Sequence, residues 1–95
     1  PAMVDVYADW CTACLELEHR TFTDANVQRR LSDFQLIRLD LTEPSNAKAV
    51  LDHFEIVGPP ALLWFDQHGN ELKKQRINGF VSAAELLGHI ETLAL

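Results

Sequence analysis

Cysteine, methionine, tyrosine and glycine are scarce in this chain: two, one, one and four among 95 residues. Two cysteines cannot build the multi-disulfide scaffold of a small secreted domain, nor a four-cysteine zinc site. Basic residues are scarce as well. Eight Lys and Arg face 14 Asp and Glu, for a formal charge of −6, which argues against nucleic acid and anionic membrane surfaces as partners. No apolar stretch approaches the ~20 residues of a membrane span, so membrane insertion by this domain is not expected. No signal-peptide pattern, internal repeat or low-complexity linker is present. What remains is ordinary globular material, 47% hydrophobic and 23% charged, enough for one domain with a modest core. The chain opens on Pro1, almost directly inside a strand-like run. We read it as a piece of something longer.

Residues 2–8, rich in β-formers, read as a buried strand, and about 11–20, without Gly or Pro, as a helix. Thr23 or Asp24 can cap a second helical piece ending near Leu31. Residues 34–41 read as a second strand, apolar at Phe34, Leu36, Ile37, Leu39 and Leu41. Pro44 starts a helix with Ala47, Val50, Leu51 and Phe54 on one stripe. A third strand at 61–65 leads through the turn 66–70 into a fourth at about 71–77. Ser82 and Glu85 have capping-box spacing, opening a last helix that buries Leu86, Leu87, Ile90 and Leu93. The expected order is β-α-β-α-β-β-α, with two parallel crossovers, a hairpin and a closing helix.

Chemistry concentrates at Cys11 and Cys14, two residues apart where the first strand gives way to a helix. A helix start presents free N–H groups that favour an anion, so the Cys11 thiol becomes a usable thiolate nucleophile. Cys14 lies one turn along, within reach of a disulfide, and resolves the mixed disulfide formed at Cys11. A purely structural bridge competes poorly: a four-residue ring stabilises by roughly 2 kcal/mol, against about 3 for a 15-residue loop. Half a zinc site competes poorly too, because His19, His53, His68 and His89 lack paired ligand spacing and four ligands are needed. No metal or cofactor is therefore expected beyond the redox-active pair itself.

This order, with Cys-x-x-Cys after the first strand and Pro60 opening the third, resembles the thioredoxin fold over essentially the whole chain. The resemblance implies an α/β fold: a central four-stranded mixed sheet flanked by helices, lacking the strand and helix that open a complete thioredoxin fold. It implies a cis peptide at Pro60 facing the disulfide, where the preceding backbone pairs with a bound peptide. Pro59 departs from the usual Thr, Val, Ile or Leu and has no N–H to offer. Trp10, Pro59 and Pro60 are the implied substrate-binding residues. The run Tyr7-Ala8-Asp9-Trp10-Cys11 to Cys14, then Glu18, Thr21, Phe22, Asp24, Val27 and Leu31, is similar to the C-terminal periplasmic domain of the DsbD family of thiol:disulfide interchange proteins. There a membrane-embedded domain supplies electrons and an N-terminal periplasmic domain receives them through transient mixed disulfides. That resemblance implies a monomeric domain of a membrane-anchored protein, working in the periplasm.

Two acids complete the expected site. Asp5 stands where thioredoxins hold a buried acid beneath the cysteines, and burial should raise its pKa and fit it to accept a proton from Cys14. Glu18, four residues after Cys14, shares its helix face. Between the cysteines stand only Thr12 and Ala13, with no His or Lys to favour a thiolate, while Asp5, Asp9, Glu16 and Glu18 surround them. Negative surroundings destabilise the reduced, thiolate-bearing state, so the expected activity is protein-disulfide reduction. The alternatives are a general thioredoxin, a cytosolic thioredoxin-like reductase, or a redox-inert binding or metal-carrier module.

Overall fold

The computed structural model describes residues 1–95. The elements run β1 (Ala2–Tyr7), α1 (Thr12–Glu16), a π-helical turn (Leu17–Thr21), α2 (Ala25–Leu31), β2 (Gln35–Asp40), α3 (Pro44–Phe54), β3 (Ala61–Phe65), a 3-10 turn (Lys73–Gln75), β4 (Ile77–Asn78) and α4 (Ala83–Glu91). The sheet order is β2-β1-β3-β4. β1 is parallel to β2 and antiparallel to β3, so the expected mixed four-stranded sheet is present. Successive β1 side chains alternate between its faces, and each face has its own core. Met3 joins Leu17, Val27, Leu31, Leu62, Trp64, Leu86 and Ile90 under α2 and α4. Val4, Val6 and Ala8 join Leu41, Leu63 and both cysteines, with Ala47, Val50, Leu51 and Phe54 of α3 laid across them.

Local chemistry explains most boundaries. The Asp24 carboxylate accepts bonds from the N–H groups of Asn26 and Val27 at 2.8 and 3.0 Å, starting α2. Ser82 and Glu85 close a full capping box on α4. Pro44 occupies the first turn of α3, where its missing N–H costs nothing, and Glu55 ends that helix in the left-handed region at φ 56°.

Three expectations are corrected. The second crossover is not parallel: β3 runs against β1, Ala61 opposite Val6. Helix α3 and residues 55–60 bring the chain back to the end of the sheet where β2 finished, so β3 starts beside the C-terminal end of β1. The helix expected over 11–20 changes register at Leu17, where Phe22 N–H reaches back five residues to Leu17 O at 2.8 Å. Buried Leu17 and Thr21 hold that wider turn, the Thr21 hydroxyl donating to Val81 O at 2.6 Å. The fourth strand does not run through 71–77. Glu71 forms only an isolated bridge to Phe65, Lys73–Gln75 coil into the 3-10 turn, and β4 is two residues long. Lys73, Lys74 and Gln75 supply no alternating apolar face to dock, and Arg76 folds back to grip Glu71 through two hydrogen bonds of 2.5 and 2.8 Å. The expected second strand forms, but at the sheet edge, leaving Leu36 and Ile37 exposed.

Candidate active site

The last residues of β1 deliver the chain to the cysteines. Cys11 has extended backbone (φ −87°, ψ 106°) and is the N-cap of α1, its Sγ accepting a hydrogen bond from Cys14 N–H at 3.1 Å. That donor points at Cys11 sulfur, which is the atom it favours as an anion once the bond opens. The two residues form a disulfide with Cα atoms 5.2 Å apart. Both belong to the core behind β1, Cys11 at 6% exposure and Cys14 at 2%, so the first cysteine is the more accessible. Trp10, beside it, is 65% exposed. An indole in water next to a reactive sulfur is surface available to a partner.

The antiparallel course of β3 brings the proline pair to this end of the sheet. The Pro59–Pro60 peptide is cis, and Ala61, the next residue, shares the buried cluster of Cys11 and Cys14. Pro60 O accepts from Gly79 N–H at 3.0 Å. Pro59 and Pro60 line a groove of about 510 Å³ together with Val57, Gly58, Arg76 and Asn78. Val57 is fully exposed there.

Asp5 points from the central strand to the face opposite the cysteine cluster's aliphatic residues, alongside Met3. It is 9% exposed. Burial pushes its carboxyl above the usual value, Arg38 pulls it back, and Glu18 adds a smaller upward push. Glu18, on the π turn, reaches the same arginine: Arg38 is ion-paired to Glu18 and to Asp5, the latter at 3.5 Å. The structure thus brings Asp5 and Glu18 together through a cation that sequence reasoning missed. The available signal was one arginine inside the apolar run Leu36-Ile37-Arg38-Leu39. Arg38 lies opposite Asp5 in the parallel register, and its guanidinium lies over the Tyr7 ring at 4.1 Å. The Tyr7 hydroxyl donates to Asp9 at 2.8 Å, and that bond, with burial, pushes its pKa up to about 12.

The remaining acids stand apart from this cluster. Asp9 also takes a backbone role, its N–H donating to Thr42 Oγ1 at 2.9 Å, and Glu16 pairs at 3.5 Å with Arg20, both exposed. No group of three or more His, Cys, Asp or Glu side chains is placed to hold a metal ion.

A family model described as a thioredoxin-like domain matches residues 1–94. The chain belongs to the thioredoxin-like domain family. Within it, this thioredoxin-like domain is similar to the thiol:disulfide interchange protein DsbD of Colwellia psychrerythraea, at 49% identity over 94 residues. That match covers 96% of the chain and 15% of the relative. The DsbD protein of Yersinia enterocolitica is 44% identical over 94 residues, covering 98% of the chain and 16% of the relative. The domain therefore spans about a sixth of these curated relatives. Among solved structures, the oxidised C-terminal domain of Neisseria meningitidis DsbD superposes with a TM-score of 0.81 at 27% identity, covering 96% of this chain and 78% of that one. A thioredoxin from Thermus thermophilus shares the fold at a TM-score of 0.78 and 20% identity. The relatives matched by this stretch are named thiol:disulfide interchange proteins, and the Cys11–Cys14 disulfide at the helix start fits a Cys-x-x-Cys redox site.

Proposed function

We propose that this domain is an electron-donating relay, taking electrons from a membrane-embedded domain of a longer chain and passing them to a periplasmic partner domain. The observation that carries the direction is the charge around the dithiol: Asp5 and Glu18 share one cation, Arg38, and no base or cation lies between the cysteines. One N–H bond favours the Cys11 thiolate, but the neighbouring cluster keeps a net negative charge, which disfavours the reduced state's anion and so favours giving its electrons away. The 41–49% identity to DsbD proteins over nearly the whole chain supports the relay and the periplasmic setting, with reductants of cytochrome c maturation among the downstream recipients. No helix here is long and apolar enough to cross a membrane, so the anchor would lie elsewhere in the parent. The exposed apolar edge of β2 supports a parent that also supplies the strand and helix completing the fold.

The chemistry is two displacements. Cys11 thiolate attacks one sulfur of the partner's disulfide, forming a mixed disulfide and releasing a partner thiolate, which takes a proton. Cys14 passes its proton to the Asp5 carboxylate and attacks Cys11 Sγ. The Cys11–Cys14 bond re-forms, the second partner thiolate leaves and is protonated, and two electrons have moved to the partner. Trp10 and the Pro59–Pro60 edge would hold the partner's segment over Cys11. Pro59 offers a carbonyl but no N–H. The test is trapping. Cys14→Ser should accumulate mixed disulfides through Cys11 and Cys11→Ser should show no reduction. Alkylation of the reduced domain at Cys14 before Cys11 would reverse the assignment.

A further inference from the structure

Arg38 occupies a position that the two displacements leave unexplained. It rises from the strand next to β1, directly opposite Asp5, and its Nη2 atom serves both carboxylates, Asp5 at 3.5 Å and Glu18 in a closer hydrogen bond. The flat face of the guanidinium lies over Tyr7 at 4.1 Å. Three contacts from two other elements fix the charged head of a side chain whose stem would otherwise swing in water. The effect reaches two parts of the site. Asp5 is the buried acid, and Glu18 is one turn beyond Cys14 on the helical run that carries the cysteines.

We propose that Arg38 is a positioning residue for the thiol chemistry: wedged between the Tyr7 ring, Asp5 and Glu18, it holds Asp5 in its ionised, proton-accepting form and ties the cysteine-bearing helix to the sheet. This rests on the dithiol mechanism above. In the oxidised domain, where neither cysteine titrates, the titratable and charged groups facing Asp5 are Arg38 from β2, Glu18 from the π turn and Tyr7 on its own strand. The β3 residue opposite is Leu62, and α2 with its C-cap contributes only uncharged Gln28, Leu31 and Ser32 to the cavity that Asp5 lines. Arg38 is therefore the one cation holding that carboxylate down. Burial opposes charge on Arg38 itself, but its bond to Glu18 and the charges of Asp5 and Glu18 outweigh it and raise its pKa, so it stays a cation throughout the working range.

The experiment uses this domain with Arg38→Gln and Arg38→Lys, alone and with Asp5→Asn. Carboxyl NMR follows the Asp5 titration in the oxidised form, and the rate of reduction of a peptide disulfide is measured against pH. With Arg38→Gln the Asp5 titration should move up by on the order of one unit. The acid limb of the rate profile should move with it, about tenfold slower per unit at pH values below the limb's midpoint. Arg38→Lys should retain most of the wild-type profile, since the charge remains, and a folded lysine variant keeps the test valid if the glutamine variant unfolds. In the Asp5→Asn background, Arg38→Gln should move the limb no further. An Asp5 titration that ignores Arg38→Gln overturns the proposal, as does a shifted titration with an unmoved rate limb. Neither result touches the dithiol reading, which fails only if Cys11→Ser still reduces the peptide.

Discussion

The oxidised domain should be more stable than the reduced one, and the sign of that difference decides the direction in which electrons flow. By a thermodynamic cycle, the change in unfolding free energy between the two redox forms equals the difference in disulfide stability between folded and unfolded chain. The ring closed by Cys11 and Cys14 spans four residues, sequence separation 3. Loop closure in the unfolded chain then favours the folded oxidised form by about 2 kcal/mol. In an oxidant of this fold, a strongly stabilised thiolate in the folded reduced form would cancel and reverse that term. Here the ionised Asp5 and Glu18 leave it standing, because Arg38 can neutralise only one of them. For a domain of this size, 1 kcal/mol moves Tm by about 4–8 °C, so oxidised protein should melt roughly 8–16 °C above reduced protein. Two kcal/mol also corresponds to about 40 mV, placing the folded pair on the reducing side of the same segment unfolded. The assay is calorimetric melting of the oxidised domain beside the domain in excess dithiol, with thiol counts before and after. A reduced form melting at or above the oxidised one would refute the reasoning and make the domain an oxidant.

Thr21 is fully buried and its hydroxyl donates to Val81 O, joining the π turn to the approach to α4. Thr21→Val keeps the shape but strands that carbonyl, and should cost about 1–3 kcal/mol in urea unfolding. Thr21→Ser, which keeps the hydroxyl and loses only a methyl, should cost less, and the reverse order would show that packing alone holds the turn. Asp5 has a folded pKa above its ordinary 3.8, so folding favours its protonated form. Wild-type stability should therefore fall as pH rises through 3.8 and on through the folded value. Asp5→Asn does not titrate, so its stability advantage should be constant below that window, widen across it and level off above. A gap that narrows with rising pH would mean that Arg38 outweighs burial.

The part of the site that lies along the chain was legible in the residues. A Cys-x-x-Cys pair following a β-rich run marks a strand-to-helix junction, and the structure puts Cys11 at the N-cap and Cys14 in the first turn. Asp24, Ser82 and Glu85 announced their helices because capping is a bond between residues two or three apart. Expectation failed where the partner a residue finds, rather than its own apolar or polar character, decides the outcome. The 71–77 stretch contains apolar residues at Leu72 and Ile77, but it has no alternating face, and it coils at Lys73–Gln75 with Arg76 gripping Glu71 across the turn. Leu36 and Ile37 look like core and stand exposed, since apolar character does not say whether a strand is central or at an edge.

The sequence alone carried the α/β alternation of elements and one redox-capable cysteine pair, because composition, hydrophobic period and motif spacing all express short-range physics. The tertiary structure decided three further matters. It set β3 antiparallel to β1, which carries Pro60 to the end of the sheet where Cys11 lies. It widened the helix at Leu17, seating Thr21 beneath Val81. And it placed Arg38 opposite Asp5 through strand register, turning what read as crowded negative charge into a cluster organised around one cation. Direction, register and long-range charge pairing are settled by contacts between residues tens of positions apart, and only folding creates those contacts.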